Sequence, residues 1–178
     1  MNDWEKRLYD NYVSTEQTAN PQQLKDLEHP YNDKLIASHL PKDTNLAIVD
    51  LACGHGRLIY SLKKFGYSNV LGVDVSSEQV AVAHRLGVTE VKCQDVTEFL
   101  KGVQTESFDV VFLMDILEHL GKQEIFNLLD NVHKVMKNNG MVVIHVPNGA
   151  GIFGMRVRYG DSTHQNAFTQ QSMQQILR

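Results

Sequence analysis

Residues 46–56 read Leu-Ala-Ile-Val-Asp-Leu-Ala-Cys-Gly-His-Gly, and this stretch decides the fold. An apolar run of strand length is followed at once by a turn that contains Gly54 and Gly56. The next segment, Arg57–Phe65, carries apolar side chains at helical spacing and is closed by Gly66. A strand, a glycine turn and a helix in this order predict the first unit of a parallel α/β sheet.

The same alternation of short apolar runs and longer amphipathic segments continues to residue 146. The predicted strands are Ala47–Leu51, Val70–Asp74, Glu90–Cys93, Phe108–Met114 and Met141–Val146. Further helices are predicted at Ser77–Leu86, through Ile125–Met136 with a stop at Gly140, and at Thr169–Arg178. Most of the strands are continuously apolar, which is typical of strands covered by helices on both faces. We therefore expect an α/β, Rossmann-like doubly wound parallel sheet of strand order 3-2-1-4-5, without the closing strands 6 and 7.

The first 45 residues differ from the rest of the chain. They are aromatic and polar, and Pro21, Pro30 and Pro41 divide them into short pieces. We predict an N-terminal helical lid at residues 1–45 and a C-terminally incomplete core domain at residues 46–178. Tyr9 and Tyr12 could close over a ligand in that core, although tyrosines at this spacing equally fit ordinary packing.

Composition favours small-molecule chemistry. Seventeen Lys and Arg against 21 Asp and Glu give a formal net charge of −4, which argues against binding to a nucleic-acid backbone. The sequence contains no apolar run of membrane-spanning length, and its first residues do not resemble a secretory signal. We expect a cytoplasmic protein. Cys53 and Cys93 are predicted to be free thiols, because the second strand would separate them.

Ligand-type residues follow three of the predicted strands. Gly54 and Gly56 allow a ligand to approach the backbone where a helix begins. Asp74 could accept hydrogen bonds from ribose hydroxyls, and Asp95 could bind an adenine amino group while Val96 packs on the ring. A Gly-x-Gly turn alone fits a simple strand-to-helix connection equally well. The convergence of three such strand ends at one sheet edge favours a nucleoside-type ligand site.

These residues together resemble the class I S-adenosylmethionine-dependent methyltransferase family. The first motif of that family is acid-x-Gly-x-Gly-x-Gly, and residues 50–56 match it with Ala52 at the first glycine. The resemblance continues through residues 71–76, 94–96, 108–120 and 135–141. It implies S-adenosylmethionine as the cofactor, held by Asp50, Ala52, Cys53, Gly54, Gly56, Asp74, Val75, Asp95, Val96 and Met114.

The tail of the chain gives a less specific indication of the acceptor. Residues 159–169 resemble methyltransferases found in bacterial surface-polysaccharide gene clusters, which implies O-methylation of a sugar or a nucleotide-linked saccharide. Arg156 and Arg158 could meet a phosphate on such an acceptor, although two such arginines more often form a solvated face. The exposed edge of the fifth strand could support a homodimer.

A candidate catalytic centre follows the fourth strand. His119 is the best single candidate for a general base, and it could equally pack or cap at a helix start. Asp115, Glu118 and His119 could converge on a divalent metal if they lie on the first turn of a helix, because the two acids are three residues apart and the His follows at once. This acid-x-x-Glu-His arrangement resembles metal-dependent small-RNA 2′-O-methyltransferases, which have a later His as well, and the resemblance implies a metal held by Glu118, His119 and His164, with Asp115 as a possible fourth ligand. Many methyltransferases carry a Glu-His pair here without a metal.

Two other classes of function remain open. A nicotinamide-dependent oxidoreductase would use the same sheet, but its fingerprint needs a third glycine where this chain has Ile59. A non-catalytic module of the same fold, which binds cofactor or serves in assembly, is kept open by the absence of the closing strands.

Overall fold

The computed structural model describes residues 3–15 and 20–178, so residues 1, 2 and 16–19 of the predicted lid lie outside the described residues. A parallel five-stranded sheet has the order β3-β2-β1-β4-β5, which confirms the Rossmann-like α/β fold and the predicted strand order. Its strands are β1 Ile48–Leu51, β2 Val70–Asp74, β3 Val91–Cys93, β4 Phe108–Met114 and β5 Met136–His145. The helices are α1 Asp3–Tyr9, α2 Pro30–His39, α3 Arg57–Lys64, α4 Ser77–Arg85, α5 Val96–Lys101, α6 Lys122–Val135, α7 Gly154–Gly160 and α8 Gln170–Ile176, with 3-10 turns at Leu24–Leu27 and Leu117–His119.

The sheet separates two hydrophobic cores, because successive strand residues point to opposite faces. Ile48 and Val110 pack with α2, α3 and α4 on one face. Val49 and Val111 pack with α5, α6 and α8 on the other. Burial on both faces explains why these strands read as unbroken apolar runs.

The fifth strand begins earlier than its sequence pattern predicts. The predicted helix stop at Gly140 is wrong, because α6 ends at Val135 and β5 starts at Met136. Met136 has extended backbone angles (φ −76°, ψ 140°), yet its N–H still completes the last turn of α6. The pairing then jumps from Phe108↔Met136 to Val110↔Met141, so residues 137–140 form a bulge. Met136 thus both caps α6 and starts β5, and the spacing of apolar residues in the sequence cannot reveal a residue that ends a helix and starts a strand.

The sheet of the described residues ends at β5, as predicted. In the part of the chain that the structure describes, no strand follows β5, and only an isolated bridge joins Asn148 to Phe168.

Cys53 and Cys93 are free, as predicted. Leu27 of the first 3-10 turn and Ile36 of α2 are buried in the same core as α3, and α2 packs against α3. None of the described helices combines the length and apolarity that crossing a membrane requires.

Candidate functional site

A cleft of about 610 Å³ opens at the carboxyl ends of the strands. Its lining includes ten of the residues singled out from the sequence, namely Tyr9, Tyr12, Ala52, Gly54, Asp74, Val75, Asp95, Val96, Asp115 and His119. The remaining residues predicted for the cofactor, Asp50, Cys53, Gly56 and Met114, are absent from this lining. Tyr9 and Tyr12 line the cleft from the N-terminal segment.

The glycine turn after β1 has two separate requirements. Gly54 has a left-handed φ of 56° and lines the cleft, and a Cβ there would lie 3.3 Å from the side chain of Gln79. Gly56 has a φ of 77°, and a Cβ there would lie 2.9 Å from Val88 and 3.1 Å from Val91. Gly54 therefore leaves room beside the cleft, whereas Gly56 lets α3 pack closely on the core.

Asp74 connects this turn to the start of α4. Its Oδ2 accepts the Gly54 N–H at 2.7 Å, and its Oδ1 accepts the Ser76 N–H at 2.8 Å. Burial raises the pKa of Asp74, and these backbone hydrogen bonds partly offset that effect. The carboxyl group is thus fixed at the cleft wall, with lone pairs left to accept a hydroxyl donor.

Asp50 and Cys53 lie beneath the wall of the cleft. Asp50 is 2% exposed, and its Oδ1 has no hydrogen-bond partner among the described residues. Burial, followed by the nearby carboxyl groups of Asp74 and Asp115, raises the pKa of Asp50 well above its usual range. Such an isolated buried oxygen suits a cationic neighbour. The thiol of Cys53 packs instead against the backbone of β2 at Gly72.

Asp95 and Val96 form the third strand end. The side chain of Asp95 caps α5 by accepting the Glu98 N–H at 3.0 Å, and both residues line the cleft. Because the cap uses one carboxylate oxygen, the other remains available to a ligand amino group. The glycine turn and the ends of β2 and β3 therefore border one continuous cleft.

The opposite wall comes from the segment after β4. Glu118 and His119 share a 3-10 turn at Leu117–His119, whereas Asp115 lies before this turn and α6 begins only at Lys122, so the three residues do not lie together on the first turn of a helix. Gly121 precedes α6 and donates its N–H to the side chain of Glu124, which starts a separate helix. Asp115 has a left-handed φ of 54°, and its Oδ1 pairs with His145 Nδ1 at 2.7 Å.

Three side chains converge next to this wall. Glu118, His119 and His164 each offer one ligand atom, and these atoms lie within 4.8 Å of one another. The possible fourth ligand, Asp115, stands outside this group and pairs with His145. His164 comes from the loop after α7, and the two imidazole ring centroids are 4.7 Å apart. The fold thus assembles the three residues predicted as metal ligands from segments 45 positions apart.

The protonation states in this cluster are unusual. Burial, and secondarily the proximity of Asp115, raises the pKa of Glu118 to about 8. Glu118 is 2% exposed, and its Oε2 has no hydrogen-bond partner among the described residues. Burial and the neighbouring His164 lower the pKa of His119 to about 4. At neutral pH the cluster therefore holds a protonated carboxyl group beside a neutral imidazole.

Sequence reasoning missed several residues of the cleft. The missed lining residues are Glu5, Ser76, Gln79, Thr97, Glu98, Ile116, Leu120, Glu124, Asn127 and Leu128. Helical spacing from Glu124 to Asn127 and Leu128 could have indicated that they share one face of α6. Arg156 and Arg158 are absent from the lining, and Arg158 donates instead to the carbonyl of Gln165 and stacks on Tyr159.

A doubly wound sheet with a glycine turn after β1 and an acid at the end of β2 is the arrangement expected of a class I methyltransferase domain. A family model described as "Methyltransferase domain" matches residues 49–144, and the chain belongs to this family of S-adenosylmethionine-dependent methyltransferases. The solved structure of a SAM-dependent methyltransferase from Archaeoglobus fulgidus has the same fold, with a TM-score of 0.75 and 23% identity. That match covers 94% of this chain and 72% of the other.

Curated relatives are named as ubiquinone biosynthesis O-methyltransferases. The mitochondrial protein of Dictyostelium discoideum is 26% identical over 133 residues, which is 66% of this chain and 40% of the relative. The protein of Colwellia psychrerythraea is 40% identical over 81 residues, which is 43% of this chain and 32% of the relative. The chain thus spans less than half the length of these relatives. The expected resemblance to surface-polysaccharide enzymes is not among these similarities.

Proposed function

We propose that this chain transfers the methyl group of S-adenosylmethionine to a hydroxyl group of an uncharged small molecule. The observation that carries the proposal is that the cofactor-type strand ends and His119 border one cleft. When bound, S-adenosylmethionine supplies an electrophilic methyl group on a sulfonium. The protein's share of the rate would come chiefly from holding the acceptor oxygen in line with that methyl group.

The residues present fit this cofactor. Gly54 leaves space for it, Asp74 would accept its ribose hydroxyls, and Asp95 with Val96 would hold its adenine. The buried Oδ1 of Asp50, which has no partner in the described chain, suits a cationic ligand. Asp50, Cys53, Gly56 and Met114 would support this site from behind the cleft wall.

The acidic lining of the cleft disfavours an anionic acceptor. The lining of the described cleft contains no lysine or arginine and carries the carboxyl groups of Glu5, Asp74, Asp95, Glu98, Asp115 and Glu124. A phosphate would meet no cation there, and Arg156 and Arg158 lie elsewhere, so a nucleotide-linked acceptor is disfavoured. The named activity of the relatives supports attack by oxygen. A free sugar and a ubiquinone precursor both fit this description of the acceptor.

His119 is proposed to face the acceptor hydroxyl. Its neutral imidazole can accept a proton, but a pKa of about 4 makes it a weak base. We also propose a divalent metal at Glu118, His119 and His164, and the buried, partnerless Oε2 of Glu118 supports this assignment. An ion held there would lower the pKa of a nearby hydroxyl, which would compensate for the weak base. Binding an ion would displace the Glu118 proton.

The N-terminal segment is proposed to act as a lid. Tyr9 and Tyr12 line the cleft, and the Glu78 carboxylate accepts the backbone N–H groups of Val13 and Ser14 at 2.9 and 3.1 Å. Ser76 donates its hydroxyl to the carbonyl of Tyr9 at 3.1 Å. These bonds anchor residues 9–14 to the start of α4, so cofactor entry would require them to open.

The testing experiment titrates the protein calorimetrically with S-adenosylhomocysteine and, separately, with NAD. We expect binding of the first and none of the second; the reverse would indicate an oxidoreductase. Transfer of labelled methyl groups is then measured with a neutral sugar and with a phenolic quinone precursor as acceptors. Cofactor binding without transfer to either would support the non-catalytic module.

The metal is tested by chelation and by adding back Mn²⁺, Zn²⁺ or Mg²⁺. We expect chelation and His164→Ala each to reduce methyl transfer about 10- to 100-fold. His145→Ala is the matched control, because His145 is also half-buried but lies outside the ligand cluster. Activity that is indifferent to the chelator would contradict the metal site and leave His119 as a base.

A further inference from the structure

A chain of hydrogen bonds runs from the N-terminal segment to His119 through the loop after α7. The Tyr12 hydroxyl donates to Asp161 Oδ2 at 2.6 Å. The Thr163 hydroxyl donates to Asp161 Oδ1 at 2.5 Å, and Thr163 Oγ1 lies 2.8 Å from His119 Nδ1. Thr163 is 3% exposed, so water does not compete freely for these contacts. Neither Asp161 nor Thr163 is a proposed ligand of the cofactor or of the metal.

The direction of each hydrogen bond follows from the chemistry of the groups. Partial burial raises the pKa of Asp161, but hydrogen bonds from Thr163 and Tyr12 outweigh it and the net shift is downward. Asp161 is therefore ionised at neutral pH and can only accept. The single hydroxyl proton of Thr163 points to Asp161, so Thr163 Oγ1 can only accept from His119. The proton of the neutral imidazole must then be on Nδ1.

We infer that Tyr12, Asp161 and Thr163 are positioning residues that hold His119 in its Nδ1–H tautomer, with the Nε2 lone pair presented to the reaction. This inference rests on the proposed function of His119. It holds whether Nε2 accepts a proton or coordinates an ion, because both uses need the lone pair. The ring of Tyr9, 6.4 Å from that of His119, further limits how the imidazole can turn.

His164 shows the same arrangement independently. Its Nδ1 lies 2.9 Å from the carbonyl of Val157, and a carbonyl oxygen can only accept. His164 is thus also an Nδ1–H tautomer with a free Nε2. In both neighbouring imidazoles, one fixed by a backbone carbonyl and the other by a Thr-Asp-Tyr chain, the neutral form therefore keeps its lone pair on Nε2.

The test is the tautomer itself, read from long-range ¹H–¹⁵N spectra of histidine-labelled protein in chelator at neutral pH. His119 is assigned by comparison with His119→Gln among the eight histidines of the chain. We expect an Nδ1–H spectrum in the wild type and in Thr163→Ser, which keeps the hydroxyl. Thr163→Val, which keeps the shape alone, should give a mixture of tautomers. Asp161→Asn, at a less buried position, tests the same link if the Val variant does not fold.

Activity provides the second measurement. Thr163→Val should lower kcat about 10- to 100-fold while the KM for S-adenosylmethionine stays unchanged, and Thr163→Ser should recover most of the rate. An Nε2–H tautomer in the wild type, or an unchanged spectrum in Thr163→Val, would overturn the inference. A wild type that transfers no methyl group would refute the proposed function instead, and the spectra would still decide the tautomer.

Discussion

The two halves of the cleft are built in different ways. The cofactor half consists of residues that directly follow β1, β2 and β3, and their positions are set by the strands themselves. The acceptor half joins Tyr12, His119 and Asp161, and the hydrogen bond between Tyr12 and Asp161 spans 149 positions of sequence. The first half is part of the core, whereas the second depends on short elements from both ends of the chain. The two halves should therefore respond differently to mutation.

In the cofactor half, the largest loss of folding stability is expected for a substitution at Gly56. Gly56→Ala combines a left-handed backbone with a Cβ that overlaps Val88, and we expect it to lower the free energy of unfolding by about 2–5 kcal/mol. Gly87→Ala is the matched control, since Gly87 has a φ of 87° but open space around its Cβ position. The control should lose only about 1–2 kcal/mol. Urea unfolding measures both, and equal losses would show that packing at Gly56 is unimportant.

Asp74→Ala tests whether the two halves of the cleft act independently of each other. Asp74→Ala removes the acceptor of the Gly54 and Ser76 N–H groups and of the expected ribose hydroxyls, so binding of S-adenosylhomocysteine should weaken by about 1–3 kcal/mol. Asp115→Ala, on the opposite wall, should leave this affinity nearly unchanged. Calorimetric titration of both variants decides the point. Unchanged affinity in Asp74→Ala would contradict the cofactor site, and equal losses in both would contradict the division into halves.

The grouping of the proposed cofactor residues at one cleft could be predicted from the sequence for the same physical reason. Strand ends in a parallel sheet converge by topology, so Gly54, Asp74 and Asp95 could be brought together without knowing any side-chain contact. Gly56 and Cys53 show the limit of this reasoning. A motif marks their positions, but only the packing of Val88 and Gly72 reveals that both face the core.

The acceptor half was predicted only in part. Glu118 and His119 were named from their spacing after β4 and His164 from a resemblance to metal-dependent methyltransferases, and the structure brings the three together. Asp161 and Thr163 were not found, because their role depends on a contact with Tyr12 that no periodicity encodes. Glu118 and His119 do share a helical turn, but it is a separate 3-10 turn that excludes Asp115, because Gly121 and Glu124 start α6 later. Local sequence patterns could not predict which residues from distant segments of the chain come into contact.

The pH dependence of stability tests the buried carboxyl group of Glu118 in the acceptor half. The pKa of Glu118, raised to about 8 mainly by burial, means that the folded state binds this proton more tightly than the unfolded state. The resulting stability is complete below the unfolded pKa and is lost as pH rises towards 8. From about pH 6.5 to 8, the wild type in chelator should lose about 1–2 kcal/mol more than Glu118→Gln. His119 is present in both proteins, so its own contribution to the pH dependence cancels in this comparison. Parallel unfolding curves for the two proteins would refute the buried proton.

The smallest effect is expected where the two halves are joined, at the Glu78 anchor of the N-terminal segment. Hydrogen bonds from Ser14 and Val13 lower the pKa of Glu78, so at neutral pH its carboxylate is ionised and accepts both backbone N–H groups. Glu78→Ala should therefore speed amide hydrogen exchange several-fold in residues 9–15 without changing the exchange of β1 or β4. Glu98→Ala is the matched control, because Glu98 also lies in the first turn of its helix but bonds to Lys101 instead of the lid. If both variants exchange like the wild type, the Glu78 carboxylate does not hold residues 9–15, and the hydrogen bonds between Tyr9 and Ser76 and between Tyr12 and Asp161 hold them instead.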